Sequence, residues 1–178
     1  MLPLLLPGGD YRGARPSPIS RRQRAISTTT SSSVGPTAVH SGIAVQIHGI
    51  GDAAVRSALD ILQALPRIAG GIRHRVEHGQ LVHPVDIPRF GAAGIAASVQ
   101  PVHLVGDAPV ARMAWGDRVR WSFPIRSLAA GGALIAFGTD APVESPDPWP
   151  GIAMAVTRAW LHDRAIAPAG DRVTSVDG

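Results

Sequence analysis

A short apolar segment that ends in a histidine and a glycine-containing turn, VQIHGIGD at residues 45–52, most constrains how this chain folds. Such a run predicts a buried strand, and Asp52 is expected to cap the helix that follows it. The pattern returns in RHRVEH at residues 73–78 and in LIAFGTD at residues 134–140. Each segment places a polar side chain at the carboxyl end of a strand, where α/β proteins present their functional groups.

Four β-α units can be traced along the chain, with predicted strands that begin near residues 44, 72, 95 and 134. Residues 102–120 are predicted to form a longer loop or a broken helix. Short apolar strands that alternate with helices indicate a parallel sheet with right-handed crossovers. The predicted fold class is therefore α/β, with about four units of a (β/α)8 barrel of the TIM type, which needs about 250 residues when complete. A small open doubly wound sheet is the alternative, although GIGD lacks the G-x-G-x-x-G spacing of its phosphate loop.

Three side chains of the type that binds metals close these strands. His78 follows His48 by about one β-α unit, and Asp140 follows by about two more. The three are therefore expected at one edge of the sheet, where barrel active sites form. Two imidazoles and a carboxylate are a typical ligand set for a divalent metal, above all Zn²⁺. We predict His48, His78 and Asp140 as metal ligands, with Asp140 also able to take a proton from water.

His103 is a candidate of a different kind. The segment SVQPVH places Gln100 at the end of the third strand and His103 just above it. A donor at that point could bind a substrate carbonyl or a developing oxyanion, so we predict His103 as a catalytic residue, with a plain loop histidine as the alternative. His74 lies two and four residues before Val76 and His78, on the same strand face, and is predicted to point into the barrel below the site.

Composition excludes several kinds of chemistry. The chain has no cysteine, which rules out disulfides and thiolate metal sites. All 17 basic residues are arginine, which rules out a Schiff-base lysine and a carbamylated lysine that bridges metals. No apolar run approaches the roughly 20 residues of a membrane span. We therefore expect a cytoplasmic protein without membrane contacts.

The net charge of +4 comes from the amino-terminal stretch. Residues 1–41 hold five arginines against Asp10, whereas the other 12 arginines are balanced by 12 carboxylates in residues 42–178. We therefore expect no nucleic-acid binding by the domain. The stretch is basic, rich in serine and without apolar periodicity, which predicts a disordered or non-native leader over residues 1–42. A transit peptide or an arginine-rich binding arm is the alternative.

Four motifs, in this order, carry a family resemblance: QIHGIGDAAV, RHRVEHGQL, ASVQPVH and FGTDAPVESPDP. Over about residues 43–160 the chain resembles the C-terminal half of amidohydrolase family 3 proteins, in the N-substituted formamide deformylase-like branch. The resemblance implies strands five to eight of a metal-dependent (β/α)8 barrel that hydrolyses amide-type C–N bonds. By this resemblance, His48 and His78 match the metal histidines of strands five and six. Asp140 matches the strand-eight aspartate that activates the water.

The resemblance also has gaps. The family's His-x-His pair of the first strand is absent from the chain, and so is the bridging ligand of the fourth. We therefore expect a partial barrel over residues 43–165, a truncated tail over residues 166–178, weak metal binding and no activity of the chain alone. Unpaired edge strands are expected to drive self-association.

The favoured interpretation is a fragment of a hydrolase that acts on a small amide-type substrate with one or two divalent ions, zinc above all. Two other interpretations stay open. The chain could be a non-catalytic remnant or accessory half-barrel that needs a partner. It could also be an arginine-tailed binding module, whose binding to nucleic acid would weaken with salt.

Overall fold

The computed structural model describes residues 35–158. Their strands form one parallel sheet in sequence order, and the prediction of an α/β fold with four successive β-α units is confirmed. The first three strands begin one to three residues later than predicted, and the fourth begins at the predicted residue, 134. The strands are β1 (Gln46–Gly49), β2 (Arg75–His78), β3 (Ala96–Val99) and β4 (Leu134–Phe137).

Helices connect these strands. The segment predicted as a loop or a broken helix is a helix that continues into a six-residue 3-10 segment, Gly116–Trp121. Shorter 3-10 turns cover Ala69–Gly71 and Pro84–Asp86. The α-helices are α1 (residues 35–40), α2 (Asp52–Gln63), α3 (Ile87–Ala93), α4 (His103–Trp115), α5 (Ile125–Ala130) and α6 (Trp149–Thr157).

One face of the sheet packs against helices. The residues that point to this face pair across neighbouring strands and belong to the main hydrophobic core; they include Ile47, Val76 and Ala97. Leu59 of α2 and Phe90 of α3 are fully buried in the same core. Burial of one such large side chain stabilises a fold by about 1.5–3 kcal/mol, so this layer holds each strand end in place.

The opposite face of the sheet, called the open face below, carries mainly polar side chains and is exposed along both edge strands. His48 and Glu77 share one cross-strand row of this face, and Gln46 and Arg75 share the row below it. Glu77 is buried, whereas Gln46, His48 and Arg75 are exposed, as is Leu134 on the edge strand β4. In a closed barrel these side chains would fill the interior, where alternate residues of every strand point.

The predicted direction of His74 is wrong. Its Nδ1 accepts a hydrogen bond from the backbone N–H of Val45, and its Nε2 lies 3.0 Å from the carbonyl oxygen of Pro66. His74 is buried on the face that Val76 shares with the helices. It therefore ties the start of β2 to its neighbours and does not point into the barrel. The error came from His78, which leaves that face because its backbone adopts a φ of 70°.

Close approach between α3 and the turn after α5 requires glycine at position 91. A Cβ at Gly91 would lie 2.2 Å from the carbonyl oxygen of Gly131, which is a backbone atom and cannot move aside. We expect Gly91→Ala to lower the free energy of unfolding by about 1–3 kcal/mol, measured by chemical denaturation. Gly106→Ala is the control, because nothing lies within 4 Å of its Cβ. In helix α4, Gly106→Ala should raise the free energy of unfolding by about 0.5–1 kcal/mol. Equal changes in the two variants would contradict the close packing at Gly91.

Several predictions fall partly outside the described residues. The predicted leader covers residues 1–42. Its residues 1–34 lie outside the described part of the chain, and its residues 35–40 are helical. The end of the predicted barrel segment and the predicted tail, residues 166–178, also lie outside. Within residues 35–158, no helix is long and apolar enough to cross a membrane.

Candidate active site

The ends of β1 and β2 bring two predicted ligands together. His48 and His78 lie in neighbouring strands, one register step apart. Nδ1 of His48 lies 2.9 Å from Nε2 of His78, and the ring centroids are 4.9 Å apart. Each of these nitrogens thus has its lone pair or its proton directed at the other, at the carboxyl edge of the sheet.

An unusual backbone conformation orients two of the predicted residues. His78 has a φ of 70° and Asp140 a φ of 59°, in a region that residues with a Cβ rarely adopt. A conformation of this kind costs about 1–3 kcal/mol and persists only where the surroundings enforce it. In His78 it interrupts the alternation of β2, so the side chain turns from the helix side towards the edge of the sheet where His48 lies.

A third histidine comes to the same place from the start of α4. Nε2 of His103 lies 3.4 Å from Oδ2 of Asp140, and the rings of His78 and His103 are 5.9 Å apart. His78, His103 and Asp140 each offer one ligand atom, and these atoms all lie within 4.8 Å of one another. Among residues 35–158, the converging set is therefore not quite the predicted one. His103 joins His78 and Asp140, and His48 reaches the set through its contact with His78.

Burial determines the protonation of the central histidine. Desolvation lowers the pKa of His78 from its ordinary value, and the electrostatic effect of nearby His48 lowers it further, against a smaller opposite effect of Asp140. His78 is therefore neutral at pH 7, which is the form of imidazole that binds a metal. Its other ring nitrogen, Nδ1, is buried and has no hydrogen-bond partner among the described residues.

Two acidic residues near this site, Glu77 and Glu144, were missed in the sequence. Glu77 lies on the open face beside His48, where it pairs with Arg75 and accepts a hydrogen bond of 3.2 Å from Nε2 of Gln100. Glu144 lies in the loop after β4, with Oε1 3.6 Å from Nδ1 of His103. A signal existed for Glu77, since strand alternation places residues 75 and 77 on the face opposite to Val76.

The donor set suits a divalent metal of the zinc type. Two nitrogen ligands on one tetrahedral Zn²⁺ lie about 3.3 Å apart, given Zn–N distances of about 2.0–2.1 Å. The 2.9 Å between the facing nitrogens of His48 and His78 is close to that spacing. Imidazole and carboxylate groups are also the ligands that zinc accepts when cysteine is absent. The arrangement therefore fits a metal in the place where the sequence predicted one.

Comparison with known proteins decides the family. The model of the amidohydrolase family matches residues 34–175, which is most of the 178-residue chain. The chain belongs to the amidohydrolase family. The family-level resemblance inferred from the four motifs is thereby confirmed.

Curated relatives of this amidohydrolase chain come from a plant and a bacterium. Protein LONG AFTER FAR-RED 3 of Arabidopsis thaliana is 39% identical over 138 residues, which is 71% of this chain and 24% of the plant protein. The putative amidohydrolase YtcJ of Bacillus subtilis (strain 168) is 35% identical over 125 residues, or 69% of this chain and 23% of the bacterial protein. The chain thus spans about a quarter of the length of these relatives.

Two solved structures resemble the amidohydrolase chain in sequence and in fold. Both are of uncharacterized metal-dependent hydrolases. The protein of Pyrococcus furiosus superposes with a TM-score of 0.60 at 30% identity, over 74% of this chain and 26% of its own. The protein of Pyrococcus horikoshii OT3 superposes with a TM-score of 0.57 at 33% identity, over 66% of this chain and 23% of its own.

Proposed function

We propose that this chain is part of a metal-dependent hydrolase that cleaves C–N bonds other than peptide bonds, in amide or formamide-type small molecules. The observation that carries the proposal is the convergence of His78, His103 and Asp140 at the carboxyl edge of the sheet, with His48 2.9 Å from His78. The amidohydrolase family model and the two metal-dependent hydrolase structures support the coarser part of the proposal, a metal-dependent hydrolase. The C–N bond type and the formamide-type substrate are the finer part of this proposal, and both rest on the motif resemblance.

His48, His78 and Asp140 are the residues proposed to hold the ion. When bound there, a divalent metal such as Zn²⁺ supplies Lewis-acid polarisation of a carbonyl and lowers the pKa of water towards about 7. The chain contributes a neutral imidazole at His78, because burial lowers the pKa of that side chain. A cationic His78 would repel the metal, so the apolar surroundings of the β2 end are part of the site.

Asp140 is proposed to take the proton from the attacking water. Its side chain is 35% exposed, so that water can reach the carboxylate, while His103 lies on its inner side. Its Oδ2 lies 3.4 Å from Nε2 of His103, and a carboxylate oxygen in this position is a suitable acceptor for that proton. The position of the loop that carries Asp140 therefore sets the direction in which the proton is taken from the attacking water.

The test is zinc titration of the full 178-residue chain, followed by assay with simple N-substituted formamides. The proposal expects zinc binding with a stoichiometry of one or two ions, and release of formate and amine that depends on the metal. Asp140→Asn should abolish turnover while zinc still binds through the histidines. Zinc binding that survives removal of both His48 and His78 would contradict the proposed site.

A second candidate function is an accessory half-barrel that needs a partner to complete its site. The exposed edge strand β4 favours it, since Leu134 on the open face is 53% exposed and Phe137 on the other face is 44% exposed. Such an edge invites pairing with another chain. This candidate expects self-association of the chain in size-exclusion chromatography and no turnover with any amide, with or without zinc. Turnover by the chain alone would exclude it.

A further inference from the structure

We infer that His103 is a third imidazole ligand of the proposed metal site, and that Glu144 is the positioning residue that fixes its tautomer. The inference rests on the proposed function, because it assumes that a divalent ion binds beside His78 and Asp140. It assigns His103 a different role from the predicted hydrogen-bond donor to a substrate carbonyl.

The two ring nitrogens of His103 face two different carboxylates. Nε2 lies 3.4 Å from Oδ2 of Asp140, and Nδ1 lies 3.6 Å from Oε1 of Glu144. The His103 side chain is only 9% exposed, whereas the two carboxylates are 35% and 38% exposed. The imidazole is thus enclosed by protein, with one acidic group at each of its polar ends.

Backbone contacts hold these three groups in place. The N–H of His103 donates to the carbonyl of Gln100 at 3.1 Å, which anchors the start of α4 to the end of β3. The N–H of Val143 donates to the carbonyl of Asp140 at 2.8 Å, which closes a turn between the two carboxylates. Asp140 and Glu144 therefore reach His103 from a single ordered turn after β4.

The arrangement has different consequences for the two tautomers of a neutral imidazole. With the proton on Nδ1, the N–H lies beside the Glu144 carboxylate, and the lone pair of Nε2 lies beside Asp140. With the proton on Nε2, the two relations are exchanged, so without an ion each tautomer sets one lone pair against a carboxylate. A cation bound between Nε2 and Asp140 would remove this repulsion from the first tautomer only, because an ionised carboxylate accepts hydrogen bonds and cannot donate them, so Glu144 favours the first tautomer when the ion is bound.

That tautomer is the one a metal ligand needs. Histidines that bind metals through one nitrogen commonly donate their other N–H to a carboxylate, which fixes the ring orientation. The convergence of His78, His103 and Asp140 within 4.8 Å supplies the inner side of this arrangement, and Glu144 supplies the outer side. Donation from His103 to a substrate carbonyl would instead require the proton on Nε2.

Zinc titration of the full chain and its variants tests the inference. Glu144→Leu should weaken zinc binding by about 10–100-fold, the usual effect of losing such a carboxylate. Glu144→Gln should stay within a few-fold of the parent, because its side-chain carbonyl still accepts the N–H. Asp117→Leu removes a carboxylate from the distant 3-10 segment and should change nothing. His103→Asn should weaken binding more than Glu144→Leu does.

The tautomer is read directly by magic-angle-spinning NMR of ¹⁵N-histidine-labelled chain, which tolerates self-associated protein. The zinc-loaded parent should show a protonated Nδ1 and a coordinated Nε2 for His103, assigned by the signal that disappears in His103→Asn. Equal zinc affinity of the parent and His103→Asn, with the other ligands binding, would overturn the inference and leave the proposed function standing. Equal loss in Glu144→Leu and Glu144→Gln would also overturn the role of Glu144. Failure of the parent itself to bind zinc would overturn the proposed function, and the inference with it.

Discussion

Replacing His78 is expected to remove zinc binding almost completely. His78 lies 2.9 Å from His48 through Nε2 and also belongs to the converging set with His103 and Asp140, so both groups of ligands depend on it. Loss of a supporting carboxylate costs about 10–100-fold in affinity, and loss of a shared ligand should exceed that range. The expected result is a dissociation constant for zinc raised by well over about 100-fold, measured by competition with a chromophoric chelator.

His78→Asn is the preferred variant. Asparagine tolerates the positive φ at this position better than most residues, so the change removes the imidazole without forcing the backbone to move. His83→Ala is the matched control, because this histidine accepts a hydrogen bond from the N–H of Val85 and packs against Trp121, away from the site. Zinc affinity that fell equally in both variants would indicate non-specific binding to surface imidazoles.

The fold could be predicted from the sequence because its signal is local. Each apolar run at positions such as Ile47 and Val76 alternates with polar residues and precedes a helical pattern, so the order and polarity of the strands follow from the chain itself. The carboxyl ends of parallel strands lie at one edge, which is why His48 and His78 could be placed together before any contact was known.

The details of the site could not be predicted, because they depend on backbone angles and on a loop. The positive φ of His78 moves its side chain off the face that strand alternation assigns, and nothing in RHRVEH indicates this. The turn after β4 then determines that Asp140 and Glu144 enclose His103. Loop geometry depends on long-range packing, so the nearness of Glu144 was not readable from its spacing.

Asp52 shows the same limit, since its predicted role as a helix cap is wrong. Gly51 holds the cap position before helix α2, and Asp52 is the first residue of the helix, where its Oδ1 accepts a 3.0 Å hydrogen bond from the adjacent N–H of Ala53. In addition, Nη1 of Arg118 donates to both carboxylate oxygens of Asp52, at 2.9 and 2.8 Å. A partner 66 residues away decides the role of Asp52, and local sequence signals cannot report it.

Breaking this ion pair should be among the most destabilising single changes in the chain. The Asp52 side chain is 1% exposed and that of Arg118 is 15% exposed, so each charge depends on the other for its solvation. Removing one partner of a buried pair costs about 3–5 kcal/mol, because the remaining charge is left uncompensated. We expect Arg118→Met to lower the free energy of unfolding by an amount in that range, measured by urea denaturation.

The controls separate the pair from arginine loss in general. Arg120→Met removes a neighbouring exposed arginine that stacks 5.1 Å from the ring centroid of Trp121, and should cost about 1 kcal/mol or less. Asp52→Asn combined with Arg118→Met removes both charges, and it should be more stable than Arg118→Met alone, because no buried carboxylate is then left unpaired. Arg118 lies in the 3-10 segment that follows α4, and α4 begins at His103. The ion pair therefore also holds α4 against α2. If the double variant were less stable than Arg118→Met, the Asp52 carboxylate would have to be satisfied by other groups.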